Sequence, residues 1–189
     1  LEDRVFAAAC DTKTPQGVLC MVQQYHYRLE DLLKKKNPLL MILENLQDPG
    51  NLGTMIRTGE GAGITGVIMN NQTVDIFNPK TIRATMGSIF RVPFVYVPDL
   101  ALVLEQMHAK GIYTYAAHLK GQKYYDSFSF REPTAFLIGN EGNGLSKEIS
   151  DQAGQYIKIP MEGRVESLNA SIAAALLMYE AHRQRSARL

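Results

Sequence analysis

The chain has 189 residues, 46% apolar and 21% charged, the make-up of a globular protein of one domain, or of one domain with a fragment of another. Lys and Arg number 20 against 19 Asp and Glu, so net charge argues neither for nor against nucleic acid, and no apolar run reaches membrane-spanning length. Cys10 and Cys20 form no C-x-x-C and the four histidines have no metal-ligand spacing, so free thiols in a reducing cytoplasm, and no metal, are expected.

The opening LEDRVFAAACDTKTPQG carries neither cap nor turn and reads as the remnant of a longer chain. GVLCMV (17–22) has the composition of a strand, and YRLEDLLKKK (27–36) that of a short helix with Leu29, Leu32 and Leu33 apolar. PLLMIL (38–43) has the length of a buried strand, NLGTMIRTGEGAG (51–63) is predicted helical, and GVIM (66–69) is a strand. NPKTIRATMGSIF (78–90) reads as one helix with a proline near its start, followed by strand FVYV (94–97). In PDLALVLEQMHAKG, Asp99 is the expected N-cap, Leu102 and Met107 the apolar face and Gly111 the stop. Strands at 112–117, 134–139 and 156–160 follow, with helical runs between and after them. This alternation from about residue 38 predicts an α/β domain, a mostly parallel sheet with helices on both faces. Two local basic clusters, Lys34–Lys36 and Arg183, Arg185 and Arg188, are expected on charge alone to be solvated surface.

GAGITG (61–66) fits the spacing G-x-G-x-x-G, but its context is reversed. A dinucleotide fingerprint leaves a strand and opens a helix, so that helix N–H groups meet the phosphates. Here a helix ends and a strand begins, and the acidic residue expected about twenty positions on is missing. Gly63 is better explained as a helix stop.

Three other stretches stand out. DPGNLGTMIRTGEGAG (48–63) follows a buried strand; Pro49–Gly50 makes a turn, Asn51 is a candidate cap, and Arg57 lies within the helix. FLIGNEGNGLS (136–146) runs from an apolar strand into a loop with three glycines and Glu141, and Ser146 caps the next helix. Gly139 falls at the strand's C-terminal end, where open α/β sheets bind ligands and a glycine permits close approach. Backbone N–H groups of that loop are candidates to hold the Glu141 carboxylate. In IKIPMEGRVESLNASIAAALLMYEAHRQR (157–185), a polar loop with Gly163, Arg164 and Glu166 leads to Ser167, Leu168 and Asn169, which open a long helix with Ile172, Leu176 and Tyr179 on its apolar face. Capping accounts for Ser167 and Asn169. It does not account for Leu168 between them, which a ligand with an apolar face and polar edges, such as an adenosine, would explain.

Together, D-P-G-N-L-G-x-x-x-R-T, G-N-E-G-x-G-L-S and I-P-M-x-G-x-x-E-S-L-N-x-S, in this order, resemble the SpoU (TrmH-like) branch of the SPOUT RNA methyltransferases over roughly residues 38–189. The chain departs slightly, with Gly59 where the family often has Ala and Ala170 where Val is common. Residues 1–37 then look like the tail of an N-terminal substrate-recognition domain and its linker, and 38–189 like the catalytic domain.

The resemblance implies an α/β fold with a C-terminal trefoil knot, against the general rarity of knots. It implies S-adenosylmethionine bound among loops near 116–121, 139–144 and 159–168, with Gly139, Asn140, Ala117, Ile159, Met161 and Leu168 as cofactor residues. It implies methyl transfer to a ribose 2′-OH, with Arg57 as base, activator or phosphate anchor; arginine as a class keeps its proton at neutral pH, and the choice stays open. Asn51, Ser167 and Asn169 would orient Arg57 and the ribose, and Glu141 would fix the loops or an arginine. The family works as a homodimer, here expected through the last helix (169–186) and the helix beginning at Asn51. Ribosomal RNA, the 23S species first, is favoured over tRNA because the leading segment suggests a separate recognition domain. A non-catalytic ribosome-assembly module of the same fold is disfavoured by the intact Asn51, Arg57, Glu141 and Asn169. A base methyltransferase of the wider superfamily would lack the Asn51…Arg57 arrangement.

Overall fold

The computed structural model describes residues 2–10, 12 and 14–186. A first helix, α1 (Asp3–Ala9), buries no residue, and a second, α2 (Leu29–Leu33), buries Leu32 and Leu33. Strand β1 (Leu39–Leu43) then opens a regular alternation: α3 (Pro49–Ala62), β2 (Gly66–Asn70), α4 (Pro79–Thr85), β3 (Phe94–Val97), α5 (Leu100–Ala109) and β4 (Tyr113–Ala117). A two-residue β5 (Lys123–Tyr124), β6 (Thr134–Ile138), α6 (Lys147–Gln152), β7 (Gln155–Lys158) and α7 (Ala170–Ser186) complete it.

The seven strands form one sheet in the order β3-β2-β1-β6-β4-β7-β5, with every pairing parallel. Side chains alternate across β1. Leu39, Met41 and Leu43 join Leu52, Met55 and Ile56 of α3 and Ala174, Leu177 and Met178 of α7. Leu40 and Ile42 join Leu32 and Leu33 of α2 and Val103, Leu104 and Met107 of α5. The sheet is therefore covered on both faces, as the continuous apolar strands require. Since all strands run the same way, their C-terminal ends lie along one edge.

Several local expectations need correction. Residues 17–22 form no strand and pair with none; Val18, Leu19, Met21 and Val22 are exposed. The predicted helix over 78–90 breaks at Met86 and Gly87, both left-handed, and resumes as a 3-10 turn at Ser88–Phe90. Asp48, not Asn51, caps α3: its Oδ1 accepts the Asn51 N–H at 2.8 Å, and Pro49 takes the first helical turn, where a missing N–H costs nothing. Asp99 caps α5 as expected, but Leu102 is exposed and Val103, Leu104 and Met107 form the buried face. Likewise α7 buries Ala174, Leu177, Met178 and Ala181, while Ile172, Leu176 and Tyr179 point outward. Gly63 does end α3 in the left-handed region (φ 77°).

The C-terminal arginines are not a loose basic patch either. Arg183 pairs with Glu180 at 2.7 Å. Arg185 donates to the backbone carbonyls of Phe130, Glu132, Asn37 and Pro38 at 2.7–3.3 Å, tying α7 to the turns that precede β1 and β6. Burial pushes its pKa down, with Glu132 opposing, as for a cation held partly out of water. Arg188 lies outside the described residues.

Removing this clamp leaves acceptors without their charged donor. Arg185→Ala is expected to destabilise the fold by about 2–4 kcal/mol, on the usual worth of hydrogen bonds to a charged group. Urea unfolding should show the loss as a lower midpoint at unchanged slope, and Arg185→Lys should recover only a minor part, lacking the planar fork.

Candidate active site

The loops leaving β4, β6 and β7 enclose a cavity of about 360 Å³ at the C-terminal edge of the sheet. Its wall includes all six residues expected around a cofactor: Ala117 after β4, Gly139 and Asn140 after β6, Ile159 and Met161 after β7, and Leu168 just before α7. Glu141 and Ser167 also line it, whereas Arg57, Asn51 and Asn169 do not. Apolar side chains predominate in the wall, and Glu141, Glu166 and Lys158 are among its polar residues.

The glycine at 139 has a cause internal to the loop. A Cβ there would lie 2.1 Å from the backbone of Gly144 and Leu145, because the loop folds back on itself. Asn140 and Gly144 exchange two backbone hydrogen bonds, and the Asn140 Oδ1 accepts from the N–H groups of Gly142 and Asn143. The Asn140 Nδ2 donates to the Asn45 carbonyl at 2.9 Å, so this side chain is spent on holding the loop.

Glu141 is gripped from a different loop than expected. Its carboxylate accepts from the N–H groups of Gln47 (3.1 Å) and Asp48 (3.0 Å), in the turn after β1, and from Asn51 Nδ2 (3.0 Å). Asn51 Oδ1 in turn accepts from Asn169 Nδ2 at 3.0 Å. Asn169 Oδ1 caps α7, accepting from the Ser171 N–H at 2.8 Å and its hydroxyl at 2.7 Å. One chain of bonds, Glu141–Asn51–Asn169, thus joins the loops of all three sequence motifs. Burial pushes the Glu141 carboxyl up, but the Asn51, Gln47 and Asp48 donors outweigh it and the net shift is downward.

Arg57 stands apart. It is exposed, six residues along α3 from Asn51 and so on a different face of the helix, and makes no hydrogen bond or ion pair among the described residues. Ser167 is exposed and lies outside α7, which begins at Ala170. Three supporting residues escaped the sequence analysis. Asp48 was legible, since Asp-Pro before an apolar-periodic run is a capping signature. Asn45, left-handed at φ 55° and bonded to Asn70, and buried Glu44, whose Oε2 accepts the Ser146 N–H at 2.7 Å, left no signal in a single sequence. Among the described residues no three His, Cys, Asp or Glu side chains are placed to hold a metal ion.

Comparison with known proteins agrees with this architecture. The SpoU rRNA Methylase family matches residues 38–179. The chain is 34% identical over 179 residues to the 23S rRNA (guanosine(2553)-2′-O)-methyltransferase RlmP of Bacillus subtilis, covering 95% of this chain and 70% of RlmP. An rRNA methyltransferase from Sinorhizobium meliloti superposes with a TM-score of 0.87 at 34% identity, over 96% of this chain and 69% of that one. The SpoU methyltransferase AviRb from Streptomyces viridochromogenes, in complex with AdoMet, gives 0.79 at 33% identity over 84% of this chain; the match spans only 62% of AviRb.

The Glu141 grip makes a pH-dependent contribution of known sign. A lowered folded-state pKa stabilises the fold above the ordinary carboxylate value of 4.5, and that stabilisation is lost as pH falls through the lowered value. Glu141→Gln offers one acceptor and turns its amide toward a donor. The variant should lose stability at neutral pH and show a flatter decline of Tm on acidification below pH 4.5 than the parent chain, which scanning calorimetry across that range would measure.

Proposed function

The chain belongs to the SpoU, or TrmH-like, family of SPOUT RNA methyltransferases, whose cofactor is S-adenosylmethionine, and from that premise we propose that it methylates a ribose 2′-OH of RNA, in 23S ribosomal RNA first. The observation that carries this is the cavity: all six residues expected at the cofactor converge on it, from three separate loops.

The wall suits S-adenosylmethionine. The volume lies within the range of small-molecule sites. Ile159, Met161 and Leu168 offer apolar surface to an adenine, Glu166 offers negative charge to a sulfonium or ammonium, and Lys158 offers a positive charge to a carboxylate. Bound there, the cofactor supplies an electrophilic methyl group. The protein must then position a 2′-OH and ease the loss of its proton. We give Arg57 the role of holding an RNA phosphate, since among the described residues nothing accepts its hydrogen bonds. Asn51 and Asn169 act by fixing the loops.

The same reading assigns residues 159–169 to the family's trefoil knot, in keeping with β6 lying between β1 and β4 and with Asn169 bonded back to Asn51. It takes 1–25 as the tail of a recognition domain, in keeping with an α1 that buries nothing. It places the protein in the cytoplasm; no helix among the described residues is long and apolar enough to cross a membrane.

A homodimer completes the proposal. Ile172, Leu176 and Tyr179 form an exposed apolar stripe on α7, and the Tyr179 hydroxyl lies beside Gly61 of α3. A second copy seated on this face would cover the stripe and bring a partner's cavity toward Arg57, which its own cavity lacks. Light scattering should find a dimer at micromolar concentration, and Leu176→Glu should shift it to monomer.

Mass-spectrometric mapping of 2′-O-methyl nucleotides in 23S rRNA and tRNA, from cells with and without the gene, tests the reaction. Loss of one 2′-O-methyl site in 23S rRNA is expected; loss in tRNA alone would move the substrate, and an unchanged map would refute the function. Arg57→Ala should reduce methyl transfer about 10²–10⁴-fold, the usual worth of positioning or proton transfer at one group. Calorimetry should find its S-adenosylmethionine affinity unchanged.

A further inference from the structure

Helix α4 ends in an unusual way. Its C-cap, Met86, is left-handed (φ 49°) without being a glycine, and Gly87 beside it is left-handed too (φ 87°). Residues with a side chain are held in this region only where the surroundings impose it, and such positions cluster at functional surfaces. The Met86 side chain gains no burial from the arrangement: it is 69% exposed. Phe90, four residues on, is 57% exposed, and Ile82, four residues back, is 36% exposed. The three make an outward apolar ridge along α4 and the 3-10 turn.

The cations beside the ridge are uneven in their partners. Arg91 is paired with Glu60, and Lys80 lies 3.6 Å from Asp48. Arg83, exposed on the last turn of α4, has no hydrogen bond or ion pair among the described residues, and neither has Arg57. The nearby carboxylates are already engaged, Asp48 and Glu60 as above and Asp75 with the Phe77 N–H. Helices α3 and α4 run side by side, with Gly53 against Thr81 and Ala84 and Glu60 against Arg91. The Met86–Gly87 turn therefore falls level with Arg57 along α3.

We infer that Ile82, Met86 and Phe90, with Arg83, form a docking ridge for an unpaired stretch of RNA that flanks the target nucleotide. Unpaired bases stack on exposed aromatic and apolar side chains, while guanidinium groups without protein partners take phosphates. A second copy is a poorer occupant, because a two-fold contact centred here would set the unpaired Arg83 groups of both copies face to face. The choice of RNA rests on the function proposed above.

The test is fluorescence anisotropy with a labelled mixed-sequence oligoribonucleotide, single-stranded and annealed to its complement, against the 189-residue chain and the variants Phe90→Ala, Met86→Gly and Arg83→Gln. Met86→Gly removes the side chain while relieving its backbone, so it guards against misfolding. The parent chain should prefer the single strand. Phe90→Ala and Met86→Gly should weaken that binding about tenfold, and Arg83→Gln should reduce the slope of log affinity against log salt by about 0.7. S-adenosylmethionine affinity should stay unchanged in all three. Folded variants that bind the single strand as tightly as the parent, or a parent chain that binds the cofactor but no oligoribonucleotide, overturn the inference. So does an affinity loss that tracks dissociation to monomer in light scattering, which would give the ridge to a second copy. Ridge-dependent binding by a chain that methylates no RNA upholds the inference while refuting the proposed function.

Discussion

The site depends on one carboxylate. Glu141 is gathered by two backbone N–H groups of the β1–α3 turn and by Asn51, which carries the tie on to Asn169 at the start of α7. Without it, the glycine-rich loop after β6 would have to hold its shape through Asn140 and through Glu44, which accepts the Ser146 N–H at its far end. An ionised acceptor suits the task, because hydrogen bonds to a charged group are roughly twice as strong as neutral ones and one carboxylate accepts several. Residues that are far apart in the chain, 47, 51, 141 and 169, are thereby locked at one end of the sheet, and the cavity wall is the product of that locking.

This changes what the motif residues are for. Gly139, Asn140, Glu141, Asn51 and Asn169 look catalytic or ligand-binding in the sequence, yet each is engaged with another loop or with its own backbone. Arg57, like Ser167, is left without a side-chain partner among the described residues. A division of labour follows. One set of residues makes a pre-formed pocket whose groups are already ordered before a ligand arrives, and the exposed residues of α3 are left for whatever docks from outside.

The strands and the doubly covered sheet were legible because buried parallel strands read as short continuous apolar runs, and β1, β2, β3 and β6 are such runs. The cavity's membership was legible through the second and third motifs, while Ala117 came only with the family resemblance and the first motif lends the wall no residue. What escaped lies where tertiary context decides. GVLCMV has strand composition but pairs with no strand, and composition carries no information about pairing. Helix α7 is apolar around most of its circumference, so its pattern could not say which face the sheet would take; the sheet took the flatter face of Ala174, Leu177, Met178 and Ala181, which packs closely, and left Ile172, Leu176 and Tyr179 outside.

The break in α4 is the most instructive miss. A proline at the start and periodic residues up to Phe90 argue for a continuous helix, and Gly87 alone would merely weaken it. Gly53, on the facing helix, has room for only a hydrogen where Thr81 and Ala84 press against it, so α4 is held tightly against α3 at one end. Farther along, Thr85, Ser88, Ile89 and Val92 are buried while Ile82, Met86 and Phe90 are not, the two faces that an unbroken helix would also have given. The apolar periodicity therefore runs straight through the break and could not reveal it. The packing of α3 on α4 does not account for the choice of methionine over a second glycine at 86, which would have been easier on the backbone. A side chain held at that cost, and left exposed beside Arg83, which has no partner among the described residues, is the one the docking ridge assigns to a contact beyond its own chain.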